Sequence, residues 1–351
     1  MPSTTLRDLA AMPRNLAAAP LHLAAVTVGL LLIAGSALPG VAPAAHAAAA
    51  PEPQPCNRAC LDHLVDAYFA ALVAHDPSRV PIAPDAKFVE NTVPLKPGEG
   101  LWKTAAQAPT TFKIYVPDPV AEQAGFLGVM KEDGKPIEVA VRLKLVDGRI
   151  TEMEHLIARD LRPASLKNLE RPRAAFLATV PPSERNSREQ MLKIAYSYYD
   201  ALVTGNGKAA PFAADCVRRE NGMQTTSNKR AAETPVSGRQ VSPAQARLGE
   251  LGCEAQIDTH LFDYIKRIEP RRVWIADPVK GLVFGLSQFR QPMTEKFVKI
   301  VGVPGVDQVP MNFKPFDLPA AHVFKIYGGR IHEIEAMGFT LPYDSKTGWE
   351  D

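Results

Sequence analysis

Two Glu-Asn dipeptides, Glu90-Asn91 and Glu220-Asn221, stand 130 residues apart in the chain, each at the end of a strand-like segment. A carboxylate beside a side-chain amide in a partly dry site can act as a general base with its orienting partner. The structural alternative is that the pair pins a following loop by bonding to backbone. Two more ionisable residues lie on strand-like stretches of the first half, Arg142 and His155. An Arg among apolar strand residues either clamps a ligand oxygen or pairs with a neighbouring acid such as Glu90 or Glu154. A His turned inward either moves a proton or sits satisfied in a core. The candidate catalytic set is therefore Glu90 as general base, His155 as acid or proton shuttle, and Arg142 steadying developing negative charge.

Candidate substrate contacts are Tyr68, Asn91, Trp102 and Met153 in the first half and Tyr198, Glu220 and Asn221 in the second. Trp102 ends the turn Gly98-Glu99-Gly100-Leu101-Trp102, where it either lines a pocket mouth or plugs a core. Gln256, Asp258 and His260 alternate further on, and Asp258 with His260 is another candidate acid–base pair. No phosphate-binding glycine loop, dinucleotide fingerprint, metalloprotease helix or nucleophile elbow is present. No cofactor is implied and no metal site is expected.

The chain has 351 residues, 46% apolar and 22% charged, with a net charge of +2. That length supports two cores. The basic residues are scattered, a poor footprint for nucleic acid, so that partner class is set aside. Arg7 and Arg14 precede an apolar stretch over 21–38, followed by the small-x-small sequence Ala45-His46-Ala47. This reads as a signal peptide cleaved after Ala47, removing 1–47, and not as a permanent membrane anchor. The mature chain is then periplasmic or secreted. An oxidising compartment favours disulfides over zinc for the four cysteines, whose spacing lacks paired hooks. Cys216 is expected to bridge to Cys253, while Cys56 and Cys60 can pair only where the chain between them is not helical.

These residues must be placed by elements, and the elements come twice. Residues 66–91 align without a gap on 196–221, with nine of 26 positions identical. The match resumes where Asp118-Pro119-Val120 answers Asp277-Pro278-Val279, and where Gly148-Arg149-Ile150-Thr151-Glu152-Met153-Glu154 answers Gly329-Arg330-Ile331-His332-Glu333-Ile334-Glu335. The growing offset puts two insertions in the second copy, near 225–253 and 291–320. Leu61, Leu64, Val65, Tyr68, Leu72 and Val73 share one helical face, as do Met191, Ile194, Ala195, Tyr198, Leu202 and Val203. Strand patterns follow at 86–91, 111–116, 125–131, 137–146 and 149–158, with Asp133-Gly134 and Asp147-Gly148 as hairpin turns. In the last strand, parity turns Met153, His155 and Ile157 inward and Glu152 and Glu154 outward, toward solvent or a domain contact. A helix followed by strands joined by tight turns means an α+β class with antiparallel sheets.

This element order, closing each time on an Asp- or Gly-Gly-Arg-Ile-x-Glu strand, resembles the nuclear transport factor 2-like superfamily, in its polyketide-cyclase-like branch. The resemblance covers roughly 56–160 and 187–341. It implies two tandem cone-shaped domains, 56–160 and 187–351, joined by a linker over 161–186, each a helix packed on a curved sheet with a pocket at its open end. It also implies that the two halves pair internally as a pseudo-dimer. The expected partner is a small apolar molecule. The expected function is an exported binder of such molecules or a cofactor-free acid/base enzyme: an isomerase, dehydratase, hydratase or lyase. The competing class is a noncatalytic interaction or scaffold module on the same fold. Arg142 answers Val323 and His155 answers Ala336 in the other copy, which favours the first cone as the active one.

Overall fold

The computed structural model describes residues 55–231 and 242–350, so the expected signal peptide lies outside the described residues. The first half opens with helix α1 (Arg58–Val73), whose buried face carries Leu61, Val65, Tyr68 and Leu72. Asn57 caps it by accepting from the Cys60 amide at 3.0 Å. Cys56 lies before the cap and Cys60 inside the first turn, and the two are bridged. There follow β1 (Ile82–Glu90), β2 (Val93–Leu95), the short α2 (Leu101–Thr104), β3 (Ala105–Gln107), β4 (Lys113–Asp118), β5 (Gln123–Glu132), β6 (Lys135–Val146) and β7 (Arg149–Ala158). Asp133-Gly134 and Asp147-Gly148 both take positive φ at both residues, as a tight hairpin turn demands.

These seven strands form one sheet in the order β2-β1-β7-β6-β5-β3, with β4 also on β5. All pairs are antiparallel except β1 with β7, which run parallel. The long excursion through β2–β6 makes that possible, since parallel neighbours need a long connection. Val139, Val141 and Leu143 of β6 and Met153 and Ile157 of β7 pack with the α1 face in one apolar core.

The connecting segment is not slack. It holds α3 (Pro163–Asn168) and α4 (Ala174–Leu177), and Leu169 and Phe176 are buried among residues of both halves. The second half repeats the plan with α5 (Arg188–Thr204), β8 (Phe212–Glu220), β9 (Met223–Gln224), α6 (Pro243–Glu250), α7 (Cys253–Asp258), β10 (Arg267–Asp277), β11 (Leu282–Gln291), β12 (Phe297–Lys299), β13 (Gln308–Pro310), β14 (Phe316–Tyr327), β15 (Arg330–Gly338) and β16 (Leu341–Pro342). A capping box of Ser187 and Gln190 starts α5, and Gly205 ends it in the left-handed conformation, φ 61°. The sheet order is β10-β11-β14-β15-β8-β9, again with one parallel pair, β8 with β15. Of the two stretches that the first half lacks, the described residues hold α6 in the first and the β12–β13 hairpin in the second. They share a small apolar cluster of Leu248, Val298, Ile300, Val303, Val306 and Met311.

Each sheet turns its second face toward the other half. Ile114, Leu127, Ala140 and Leu156 meet Ile275, Phe284, Leu286 and Val323 in a continuous apolar layer. Ion pairs frame that layer reciprocally. Arg58, the first residue of α1, holds Asp277, and Arg188, the first residue of α5, holds Asp118 with Nε at 2.7 Å from Oδ2. The repeated Asp-Pro-Val motif thus supplies, in each half, the buried acceptor for the other half's opening helix. Arg272 in turn binds both oxygens of Glu154 across the same boundary. Among the described residues, no helix is long and apolar enough to cross a membrane.

Candidate functional site

In the first cone the sequence places a carboxylate, an imidazole and a phenol on three elements, and the fold joins them. His155 Nδ1 lies 3.2 Å from Glu90 Oε2, and its Nε2 lies 2.8 Å from the Tyr68 hydroxyl. Register makes the first contact, because Glu90 of β1 sits beside His155 of β7. Both Glu90 oxygens accept from the Leu101 amide, at 3.1 and 2.9 Å. Gly100 has to be glycine there: its φ is +61°, and a Cβ would come within 2.5 Å of the Glu90 carboxylate. The turn delivers Trp102 edge-on to Tyr68, ring centroids 5.3 Å apart, and buries it. Phe88 closes on His155 from the other side at 4.8 Å. Burial, and then the nearby Glu90 charge, push the Tyr68 phenol well above its ordinary pKa. The triad is complete and internally satisfied, with Phe88, Trp102 and Met153 buried around it.

The second cone makes the opposite choices at matching positions. Ala336 stands where the first cone has His155, Arg218 where it has Phe88, and His322 where it has Val141. Removing an imidazole from the cone wall and supplying no Trp plug leaves a partly open cavity of about 130 Å³. Tyr198, Arg218, Glu220, Phe262, Phe289 and His322 are among the residues around it. An engineered cavity of roughly 150 Å³ binds benzene, which sets the scale of the occupant at about one ring.

Arg218 is only 1% exposed, and an arginine so placed needs partners. The end of β8 and the segments that follow it bring them. Nε donates to Thr225 Oγ1 at 3.0 Å and lies 2.7 Å from Glu220 Oε1, while Nη2 donates to Gln256 Oε1 on α7. The Cys216–Cys253 disulfide ties α7 to β8, two residues from the arginine. Phe262 covers the guanidinium face at 4.9 Å. The remaining nitrogen, Nη1, makes no hydrogen bond of good geometry, although the Tyr198 hydroxyl lies close enough to the guanidinium to interact with it. His322 is stacked between Phe289 and Phe324, at 5.9 and 5.7 Å, with Nδ1 3.3 Å from the Tyr199 hydroxyl. Burial, helped by the Arg218 charge, lowers its pKa to about 3, so the ring is neutral. Burial raises the Tyr198 and Tyr264 phenols, which stay protonated.

The matches to known proteins agree with a duplicated domain. The family described as "Domain of unknown function (DUF8021)" matches residues 54–157 and again 184–338. The chain belongs to this family. No curated protein matches it. Solved structures similar to it include a nuclear transport factor 2-like protein of unknown function from Cytophaga hutchinsonii, 14% identical over 28% of this chain and 88% of that one, TM-score 0.23. A protein of Jannaschia provisionally assigned as a SnoaL-like polyketide cyclase is 14% identical over 46% and 89%, TM-score 0.26. A Bacillus subtilis protein provisionally assigned as an isomerase is 11% identical over 44% and 89%, TM-score 0.27.

Of the expected site residues, Glu90, His155 and Tyr68 converge, with Trp102 and Met153 packed beside them in the closed first core. Arg142 does not join them. It lies one residue past Val141, the register partner of His155, and so projects from the opposite face of β6. There it bonds Gln123 at 3.0 Å and Glu152 at 2.6 Å and lies over Trp349. It is bonded within its own half, reaches the other half only through the Trp274 and Trp349 rings, and cannot steady charge inside the cone. Asn91 is likewise occupied: its amide donates to Ile157 O at 3.2 Å and accepts from Ile157 N at 2.7 Å. Asn221 does the same with Gly338, although it also borders the cavity. Both asparagines therefore hold the end of the parallel strand pair. Asp258 accepts from the Gly207 amide, and His260 pairs with Asp263 instead, so those two form no acid–base couple. Arg218, Gln256 and His322 were not among the expected site residues. The readable signal was an ionisable residue standing where the other copy has Phe88 or Val141.

Proposed function

We propose that this chain is an exported small-molecule-binding protein whose ligand site is the second cone, with the first cone as its closed, supporting half. The single observation that carries this reading is the cavity that opens where Ala336 replaces His155. A ring-sized apolar molecule fits its scale, and Phe262, Phe289 and the aliphatic wall offer it apolar contact. The test is to fill the space. Ala336→Phe in the full mature chain should abolish binding of bromobenzene, detected by ligand-observed NMR, while His155→Phe in the first cone leaves it intact. Binding that survives Ala336→Phe unchanged sinks the proposal.

The two cones form an internal pseudo-dimer in this reading, supported by the reciprocal Arg58–Asp277 and Arg188–Asp118 pairs and the shared apolar layer. Export through cleavage of 1–47 is supported by the two disulfides, which belong to oxidising compartments. N-terminal sequencing of the secreted chain decides it.

A second reading adds chemistry at the same site. Glu220, 43% exposed and beside the cavity, is placed to take a proton from carbon next to a carbonyl and to return it elsewhere on the same molecule. That is a cofactor-free isomerisation, and Glu220, not Glu90, is its base. Once a turned-over compound is in hand, Glu220→Gln should cut kcat about a hundredfold or more. Full activity in that variant would leave a binding module.

A further inference from the structure

We propose that the second cone selects a neutral, ring-sized molecule carrying a carbonyl-type oxygen that accepts from Arg218 Nη1 and a polar hydrogen that donates to Gln291 Oε1. This rests on the reading of the cavity as a ligand site and adds the chemical class. Both Arg218 and Gln291 border the cavity, both are at least nine-tenths buried, and neither Nη1 nor Oε1 makes a hydrogen bond of good geometry. A buried donor and a buried acceptor left open are costly unless something completes them. One bonding direction is a cation's N–H and the other an amide oxygen, so the complement is one acceptor and one donor on the same small molecule.

Charge excludes the ionised version. The guanidinium already has a carboxylate at 2.7 Å, that of Glu220. A second anion would enter a site whose positive charge is balanced, against low-dielectric walls and with the neighbouring imidazole neutral. A neutral oxygen takes the charge-assisted hydrogen bond and adds no charge to bury. The apolar remainder of the ligand lies against Phe262, Phe289 and Leu318.

The experiment compares three probes of one ring and similar size on the intact, disulfide-bonded chain by NMR titration: benzamide, benzoate and ethylbenzene. Benzamide offers the acceptor and the donor, benzoate an anion, ethylbenzene neither. Benzamide should bind at least tenfold tighter than either of the others, the worth of one charge-assisted hydrogen bond. Gln291→Met should shrink that preference over ethylbenzene. Benzoate binding tightest overturns the neutral class. Equal binding of ethylbenzene and benzamide overturns the polar pair while leaving the ligand site in place. No binding by any probe removes both readings.

Discussion

Substituting His155→Ala makes the first cone imitate the second at its deciding position, and the loss can be worked from contacts. The imidazole is fully buried, bonded at 2.8 Å to Tyr68 and 3.2 Å to Glu90, and packed edge-on against Phe88 at 4.8 Å. Truncating a buried aromatic ring to Ala costs roughly 3–5 kcal/mol, cavity included. The Tyr68 hydroxyl then loses its partner in an apolar core, at about 1–3 kcal/mol. Glu90 loses less, because the Leu101 amide still donates to it. The expected total is about 5 kcal/mol, a large share of the roughly 5–15 kcal/mol a protein has. At roughly 2–4 °C per kcal/mol, the melting temperature should fall by more than about 10 °C. Urea unfolding followed by circular dichroism measures the free-energy loss, and a thermal scan the shift in melting temperature. The reverse change, Ala336→His, puts the ring into space that already exists and should cost far less. A loss below about 1 kcal/mol for His155→Ala would refute the claim that the first cone is a closed, satisfied core.

Four further outcomes follow from named contacts. Arg58→Met or Arg188→Met leaves Asp277 or Asp118 buried without its cation, and each should lower stability by about 3 kcal/mol in a chemical melt; near-zero effects would mean the halves do not depend on these pairs. Glu138, fully buried with neither oxygen bonded, is held well above its ordinary value of 4.5 by burial and then by Glu335. A carboxyl raised on folding binds its proton more tightly in the folded state, so its destabilising effect grows as pH climbs above 4.5; Glu138→Gln should stabilise at pH 8 and have less effect near pH 4, and a pH-independent change would contradict this. His322 has the opposite linkage: its pKa falls from 6.5 to about 3 on folding, so stability is lost as pH drops below 6.5, and its NMR resonances should not titrate between pH 5 and 8. Cys216→Ser with Cys253→Ser should cost roughly 3–4 kcal/mol and weaken ligand binding too, since the bridge holds α7 and its Gln256 against Arg218; normal binding in the double variant would separate the bridge from the site.

Much of the fold could be read from the chain because its signals were local and came twice. The α1 and α5 faces, the Asp-Gly hairpins and the inward parity of Met153, His155 and Ile157 all follow from periods of 3.6 and 2. The Cys216–Cys253 bridge was expected from the reading of 1–47 as a signal peptide and from the spacing. Tertiary information was harder to see. Arg142 looked like part of a site because it stood among apolar strand residues, yet one step of parity put it on the face that packs against the other half. The Asp-Pro-Val repeat gave no hint that each copy receives the other's helix. The proposed site departs from the expected one for a volumetric reason. An extra ionisable group such as His155 suggested chemistry, whereas inside a cone it occupies the space and the small Ala336 creates it.

Bromobenzene soaked into crystals of the mature chain, located by its anomalous scattering, tests the central claim most directly. One bromine site is expected inside the second cone, between Phe262, Phe289 and His322, with the first cone unchanged. A bromine among Tyr68, Trp102 and His155, or a second cone that stays empty at saturating bromobenzene, would contradict it.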